Sequence, residues 1–125
     1  MTVIEAIAKQ EGFGVPGAIP TICHNPGDLI YGPEAVHFGA IAAHGRFAVF
    51  PDDETGWHAL RKWLSMPAQF DKNGQLTHGY LGAILQQVID RFAPPVENDS
   101  VGYLDFVMKA TGLSADTILT LEVLG

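Results

Sequence analysis

Residues 2–14 read TVIEAIAKQEGFG, an apolar helical pattern that ends in a glycine-rich turn. Thr2 is followed three residues later by Glu5, which is the pattern of a capping box, so we predict a helix that begins here. Apolar residues then recur at the spacing of one helix face, at Ile4, Ile7 and Ala8. The next position on that face is Glu11, a carboxylic acid where a core residue is expected, and a glycine-rich turn follows it.

The position of Glu11 has a chemical consequence. Burial and the negative end of a helix dipole both disfavour the carboxylate, so both would raise the pKa of Glu11. A carboxyl group that keeps its proton near neutral pH suits a general acid. The alternative interpretation is a slightly rotated helix whose Glu11 points to water.

The composition indicates a soluble globular protein with one domain, residues 1–125. It is 47% hydrophobic and 17% charged, and this length suits a single core. The net charge of −7, without a basic cluster, argues against nucleic-acid binding. No apolar run approaches the ~20 residues of a membrane span, and we see no signal peptide at the start of the chain.

The cysteine and the histidines do not form a metal motif. Neither a zinc-type histidine pair nor Cys-x-x-Cys is present, and no P-loop or Rossmann fingerprint occurs, so we expect no metal and no cofactor. Cys23 has His24 as its direct neighbour in the chain. This favours a small buried apolar residue over a catalytic nucleophile. One cysteine allows no internal disulfide, which is compatible with a reducing compartment.

The chain after the first helix contains a polar loop and then a hairpin. Residues 24–29 read HNPGDL, a proline–glycine turn in which Asn25 either braces the loop or binds the N-acetyl group of a sugar. Short apolar runs at 36–41 and 46–50 predict two strands, with the hairpin loop at 42–45. We see no other strand signal.

The remaining sequence predicts helices and turns. A helix opens at Asp52 or Asp53 and carries an apolar face, with Trp63 off that face as a core residue or a platform beside a cleft. Residues 71–74 form a turn. Three later helices are predicted: a strongly periodic one over 81–92, one capped by 97–100 and closed by Gly112, and a last one capped by Ser114. The fold class is therefore mainly α (α+β), with about five helices and one short β-hairpin.

Several segments, in this order, resemble one family. Residues 4–13 are similar to the helix that carries the catalytic glutamate in lysozyme-like glycan hydrolases. The loop HNPGDLIY at 24–31 resembles the Asn-Asn-Pro-Gly-Asn-Leu loop of small phage and bacterial lysozyme-like proteins. Residues 47–60 are similar to their hairpin-then-helix segment. Residues 91–100 with Tyr103 resemble their Tyr-Ala-Pro-Pro-x-Glu-Asn-Asp-Thr … Tyr signature. Asp28 departs from the pattern, because it replaces an asparagine and would add like charge near Glu11 if the two are close.

The resemblance implies a lysozyme-like fold and an enzyme that cleaves peptidoglycan glycan strands. Glu11 would be the general acid, and the substrate-binding residues would be Asn25, Asp28, Tyr31 and Tyr103. A hydrolase needs a second carboxylate, and three residues are candidates for it: Asp28, Glu34 and Asp52. A lytic transglycosylase needs only one glutamate, because the 6-hydroxyl of the sugar closes on the anomeric carbon.

The resemblance also admits a second function. Some relatives are virion structural proteins, so the alternative is a non-catalytic virion or cell-wall module that binds glycan strands or other virion proteins. The net charge of −7 favours the module, since an anionic wall attracts basic surfaces. Either protein would remain in the cytoplasm until release, or be carried in the virion, and act at the bacterial cell wall.

Overall fold

A computed structural model describes residues 1–95 and 98–125. Within them the chain divides into two compact units, a first unit of residues 1–6 and 64–125 and a second unit of residues 7–63. The described residues form seven helices and two antiparallel two-stranded sheets, so the fold is mixed α+β. Helices cover a little under half of the described residues. The expected single-domain organisation stays a prediction.

The elements follow one another in a simple order. The helices are α1 (Val3–Glu11), α2 (Ile19–Ile22), α3 (Pro33–His37), α4 (Asp53–Leu64), α5 (Leu85–Phe92), α6 (Ser100–Thr111) and α7 (Leu121–Leu124). The strands are β1 (Ala42–His44), β2 (Phe47–Val49), β3 (Gln69–Phe70) and β4 (Leu76–His78). Strand β1 pairs with β2, and β3 pairs with β4.

The predicted start of α1 is confirmed. The Glu5 N–H donates to Thr2 Oγ1 at 3.1 Å, and the Thr2 N–H donates to Glu5 Oε1 at 2.9 Å. This reciprocal pair is a capping box, which satisfies backbone donors that the first helical turn leaves without partners. At the other end, α1 stops at Glu11, and Gly12 adopts the left-handed φ of 94° that turns the chain.

The hairpin of the second unit lies a few residues from its predicted place. The strand expected over 36–41 is wrong, because Pro33 opens helix α3 instead. Proline suits the first helical turn, since its fixed φ is helical and its missing N–H would have no partner there. Strand β1 occupies most of the predicted hairpin loop, and β2 lies within the predicted second strand.

Helix α4 supports the polar loop of the second unit. The predicted cap is confirmed, since Asp52 Oδ1 accepts from the Thr55 N–H at 2.8 Å. A Cβ added at Gly56 would strike the backbone carbonyl of His24, so loop and helix pack together without room for a side chain. The His24 ring also meets the start of the helix, with Nδ1 2.7 Å from Asp53 Oδ1.

Apolar and aromatic side chains fill the rest of the second unit. Phe13 packs edge-on against Trp57 with ring centroids 5.2 Å apart, and Phe38 does the same against Trp63 at 6.4 Å. Trp63 is half-buried in this contact, which supports its packing role. The buried apolar residues of this unit are Ile7, Ala8, Cys23, Leu29, Ala35, Ala40, Ala48, Phe50, Ala59 and Leu60.

The first unit contains a hairpin that the sequence did not reveal. The turn predicted over 71–74 joins β3 to β4, and Asp71 Oδ1 braces it by accepting from the N–H groups of Asn73 and Gln75. The expectation of one hairpin is therefore wrong. Both strands are very short and mostly exposed, so they lack the apolar alternation by which strands are recognised.

The helices of the first unit match the prediction unevenly. The caps of α6 are confirmed, since Asp99 Oδ1 accepts from the Gly102 N–H at 3.0 Å and Gly112 adopts a left-handed φ of 76°. The predicted part of Glu97 in that cap lies outside the described residues. Helix α5 begins four residues later than predicted, at Leu85, after the left-handed Gly82.

The predicted last helix is wrong. The Ser114 N–H donates to Thr117 Oγ1 at 3.1 Å, which makes a local turn rather than the start of a helix. Ile118 then forms a β-bridge with Ile84, and the Leu119 N–H donates to the Ala83 carbonyl at 2.8 Å. The last helix is α7, which Thr120 caps by accepting from the backbone N–H of its third residue.

Replacing Gly56 with alanine tests the packing of the loop on α4. Glycine to alanine inside a helix normally stabilises by about 1 kcal/mol. We expect the opposite here, a loss of roughly 1–3 kcal/mol, because the new methyl group would collide with the His24 carbonyl. Urea unfolding measures the change.

A matched control is Gly32→Ala. Its backbone is extended and no heavy atom lies within 4 Å of the added methyl group, so we expect a change within about 0.5 kcal/mol. A Gly56→Ala protein as stable as the wild type would contradict the packing described here.

Candidate functional site

The polar loop of residues 24–31 is organised by one buried amide. The Asn25 side chain is fully buried, and its Oδ1 accepts from the Leu29 N–H at 2.9 Å. Its Nδ2 donates to the Leu29 carbonyl at 3.0 Å and to the Ala48 carbonyl at 2.9 Å. One side chain thus closes the loop on itself and fastens it to β2.

This geometry supports the bracing role of Asn25 over the sugar-binding one. Both amide N–H groups are used by the protein, and no part of the side chain reaches solvent. We therefore remove Asn25 from the residues that could touch a ligand. Its effect on the site is indirect, through the residues that it holds in place.

Glu11 is the last residue of α1 and is partly buried. The apolar residues on its helix face, Ile4, Ile7 and Ala8, are all buried, so the predicted stripe is confirmed up to the position before Glu11. The left-handed turn at Gly12 follows directly and takes the chain away from the carboxyl group. This places a carboxyl group at the edge of the core, at the negative end of a helix.

Asp28 meets Glu11. The two side chains form a hydrogen bond, and Asp28 is itself half-buried with a left-handed φ of 52°. Burial raises the pKa of the Asp28 carboxyl above its ordinary value, while the hydrogen bond from Glu11 and the charge of Arg46 offset part of this rise. Two carboxyl groups can form a hydrogen bond only when one of them carries a proton, so this contact favours a protonated carboxyl group at the site.

Arg46 was not anticipated as part of the site. It lies in the turn between β1 and β2, where its guanidinium carbon is 5.1 Å from the centroid of the Phe47 ring. Its backbone carbonyl accepts from the Tyr31 N–H at 2.8 Å, which extends the loop along the outer side of β2. No motif marks this arginine in the sequence; only the fold brings it towards Asp28.

The other predicted site residues divide into exposed and buried ones. Tyr31 is 44% exposed at the end of the loop, so its ring can be contacted from solvent. Tyr103 is 3% exposed on α6 of the first unit. This burial supports a core tyrosine, and its predicted place beside Glu11 stays a prediction.

The candidates for a second carboxylate also differ in their surroundings. Glu34 is exposed in the first turn of α3. Asp52 caps α4, and its hydrogen bonds from Thr55 lower the pKa of its carboxyl. Of the three candidates, Asp28 is the one shown in contact with Glu11.

Cys23 is buried, as expected for an apolar core residue. Burial raises the pKa of its thiol, and the negative charge of Asp28 adds to this effect. A raised thiol pKa disfavours the thiolate that a nucleophile requires. In the described part of the chain, no group of three or more His, Cys, Asp or Glu side chains is arranged to hold a metal ion.

Comparison with models of protein families, with curated proteins and with solved structures finds no match to this chain. Separately, none of the helices within the described ranges has the length and apolar character needed to cross a membrane.

Replacing Asn25 with alanine tests its bracing role. The change removes three buried hydrogen bonds, after which the Leu29 carbonyl keeps only its bond from the Ala48 N–H, so we expect a loss of stability on the order of 3 kcal/mol by urea unfolding. Asn73→Ala, at an exposed turn position, is the matched control and should change stability by no more than about 0.5 kcal/mol. Equal stability of the two variants would show that Asn25 is not structural.

Proposed function

We propose that this protein cleaves the glycan strands of peptidoglycan, with Glu11 as the proton donor. The observation that carries the proposal is the contact between the Glu11 and Asp28 carboxyl groups at the partly buried end of α1, which favours a protonated acid there. Cleavage of a glycosidic bond needs such a proton, because the leaving oxygen departs far more readily as a hydroxyl group. The resemblance of residues 4–13 and 24–31 to lysozyme-like enzymes supports the same assignment.

The direct contact between Glu11 and Asp28 favours a reaction in which only one of the two carboxyl groups takes part. Paired glycosidase carboxyl groups stand about 5–5.5 Å apart in retaining enzymes and about 6.5–9.5 Å apart in inverting ones, on opposite faces of the sugar. Asp28 is in hydrogen-bonding contact with Glu11, so it lies on the same side of any sugar that Glu11 could protonate. Asp28 is therefore poorly placed to be the nucleophile or the base that activates water.

A lytic transglycosylase reaction needs no second catalytic carboxylate and is therefore compatible with this arrangement. Glu11 gives its proton to the glycosidic oxygen, and the bond from that oxygen to the anomeric carbon breaks. The 6-hydroxyl oxygen of the same sugar then bonds to the anomeric carbon and returns its proton to the Glu11 carboxylate. The products are a shortened strand and a 1,6-anhydro sugar, no water is consumed, and Glu11 regains its starting form.

A non-catalytic glycan-binding module of a virion or cell wall is the second candidate. The net charge of −7 favours it, because an acidic surface gives no electrostatic attraction to an anionic wall. Tyr31, with its exposed ring, could then contact a sugar without any reaction.

Glu11→Gln separates the two candidates. Glutamine keeps the shape but has no transferable proton, so we expect release of soluble fragments from purified peptidoglycan to fall about 100-fold or more. Glu54→Gln is the matched control, because it makes the same change at an exposed position of the same unit, and it should retain wild-type activity. Mass spectrometry of the wild-type products should find sugars lighter by one water than hydrolysis products.

Three results would each contradict a different part of the proposal. Full activity of Glu11→Gln would remove Glu11 as the acid. Products that carry the added water would replace the transglycosylase with a hydrolase. A wild-type protein that binds peptidoglycan and releases no fragments would support the module instead.

A further inference from the structure

We propose that the first unit binds the carboxylate end of a short peptide in an open cleft between α5 and the β3–β4 hairpin. The cleft has a volume of about 340 Å³. The described residues that line it are Gln75, Leu76, Gln87, Asp90, Arg91 and Pro94. They supply a cation, a carboxylate, two amides and two apolar groups. This site is separate from the proposed acid, Glu11, which belongs to the second unit.

One wall of the cleft is the polar face of α5. Gln87, Asp90, Arg91 and Pro94 follow the spacing i, i+3, i+4, i+7, which places them along one side of the helix and of the residues just beyond its end. The opposite side of the helix is buried and consists of Leu85, Val88 and Ile89. The core therefore fixes the helix with its polar side turned towards the cleft.

The other wall is the turn that joins β3 to β4. Asp71 braces this turn, because its N–H donates to the Gln75 carbonyl at 2.9 Å and its Oδ1 accepts from the Gln75 N–H at 3.0 Å. The Gln87 side chain then connects the two walls. Its Oε1 accepts from the Ile84 N–H at 3.2 Å, and its Nε2 donates to the Gly74 carbonyl at 3.4 Å. The cleft is therefore formed before any ligand arrives, as small-molecule sites usually are.

Arg91 provides the positive charge of the cleft. Its guanidinium carbon lies 5.5 Å from the centroid of the Tyr80 ring, and that ring packs edge-on against Phe92 at 6.1 Å. Tyr80 is only 6% exposed, so Arg91 is stacked on a buried ring that does not move freely. A guanidinium on a ring face keeps its N–H groups in its own plane, where they match the two oxygens of a carboxylate. Arg91 is therefore a positioned donor for a carboxylate.

The other lining groups favour a peptide over a simple anion. Gln75 and Gln87 carry amide groups, which donate and accept hydrogen bonds as a peptide bond does. The Asp90 carboxylate accepts from an N–H group and repels a second negative charge. Leu76 and Pro94 offer apolar surface to a small side chain. A ligand that matches all of these groups has one carboxylate, one or two peptide groups and small side chains.

The volume sets the size of the ligand. Sites for small molecules occupy about 300–1,000 Å³, so this cleft is at the lower end and suits an acylated dipeptide. Peptides with this chemistry end in D-alanine in peptidoglycan and in L-residues in proteins. The choice of the D isomer rests on the proposed function, because a protein that acts on peptidoglycan meets the wall peptides.

The test is an NMR titration of the full chain with acetyl-D-alanyl-D-alanine. We expect saturable shifts of the side-chain amides of Gln75 and Gln87 and of the Arg91 Nε–H. The dissociation constant should be on the order of 1 mM, as expected for a ligand of about 14 non-hydrogen atoms. The C-terminal amide of the same peptide lacks the charge, and acetate lacks the peptide groups, so each should bind about 10-fold more weakly or worse.

Variants test the lining residues. Arg91→Gln removes the cation and should weaken binding of the peptide about 10-fold or more. Lys109→Gln is the matched control, because it removes one positive charge at an exposed position of the same unit, and it should bind like the wild type. Gln75→Ala changes an exposed side chain and should weaken binding about threefold or more. It keeps the test valid if Arg91→Gln does not fold.

Several results would overturn the inference. The absence of saturable shifts, acetate that binds as tightly as the peptide, or wild-type affinity in Arg91→Gln would each remove the peptide site, and so would wild-type affinity in Gln75→Ala if Arg91→Gln does not fold. Acetyl-L-alanyl-L-alanine that binds as well as the D,D peptide, or better, would overturn the assignment to wall peptides.

Binding of the peptide and cleavage of glycan fail separately. Glu11→Gln should bind the peptide like the wild type, since the change lies in the other unit. Glycan cleavage by a protein that does not bind the peptide would reject the cleft and keep the proposed enzyme. Specific binding of the peptide by a protein that cleaves nothing would keep the cleft and reject the enzyme.

Discussion

The second unit depends on the buried amide of Asn25. Its three hydrogen bonds join backbone groups of the polar loop and of β2 in the interior, where polar groups need partners. On its other side, the loop packs so closely on α4 that Gly56 has no space for a Cβ beside the His24 carbonyl. A loop with this much internal bonding behaves as a rigid support rather than as a flexible connection, and a rigid support is what a site with fixed geometry requires.

Local patterns predicted those parts of the structure whose interactions are themselves local. The capping box of Thr2 and Glu5 spans three residues, and the cap of Asp52 on Thr55 spans three as well, so spacing alone was sufficient. The left-handed Gly112 at the end of α6 belongs to the same class. In each case the interaction that stabilises the element lies within the same short stretch of sequence that predicts it.

Several secondary-structure predictions are wrong where the local pattern is weak or where the backbone pairs with a segment distant in the sequence. Residues near Ile118 have a capping pattern that favours a helix, but their backbone groups pair instead with the segment around Ile84. The β3–β4 hairpin has strands of two and three residues that are almost wholly exposed, so hydrophobic periodicity could not mark it. The error at Pro33 has a different cause. Proline there favours the first turn of a helix, whereas the apolar run at 36–41 that follows is typical of a strand, and the structure has the helix.

The candidate site shows the same division between local and long-range information. Glu11 was identified because it interrupts an apolar helix face, which is a local signal. Its partner could be named only conditionally, since Asp28 lies 17 positions later and Arg46 a further 18, and contact between them depends on the fold. The dual interpretation of Asn25 could not be resolved from sequence either, because an amide that braces a turn and one that binds a ligand look alike until their partners are known.

The internal hydrogen bonds of the loop also fix the place of Asp28 beside the end of α1. The Asp28 N–H donates to the Asn25 carbonyl, and the Asn25 side chain binds both backbone groups of the next residue, Leu29. Moving the Asp28 carboxyl group away from Glu11 would therefore break part of a buried hydrogen-bond network, which is costly. The buried amide thus determines where the Asp28 carboxyl group lies without touching it, so the geometry of the candidate site depends on a residue that no ligand can reach.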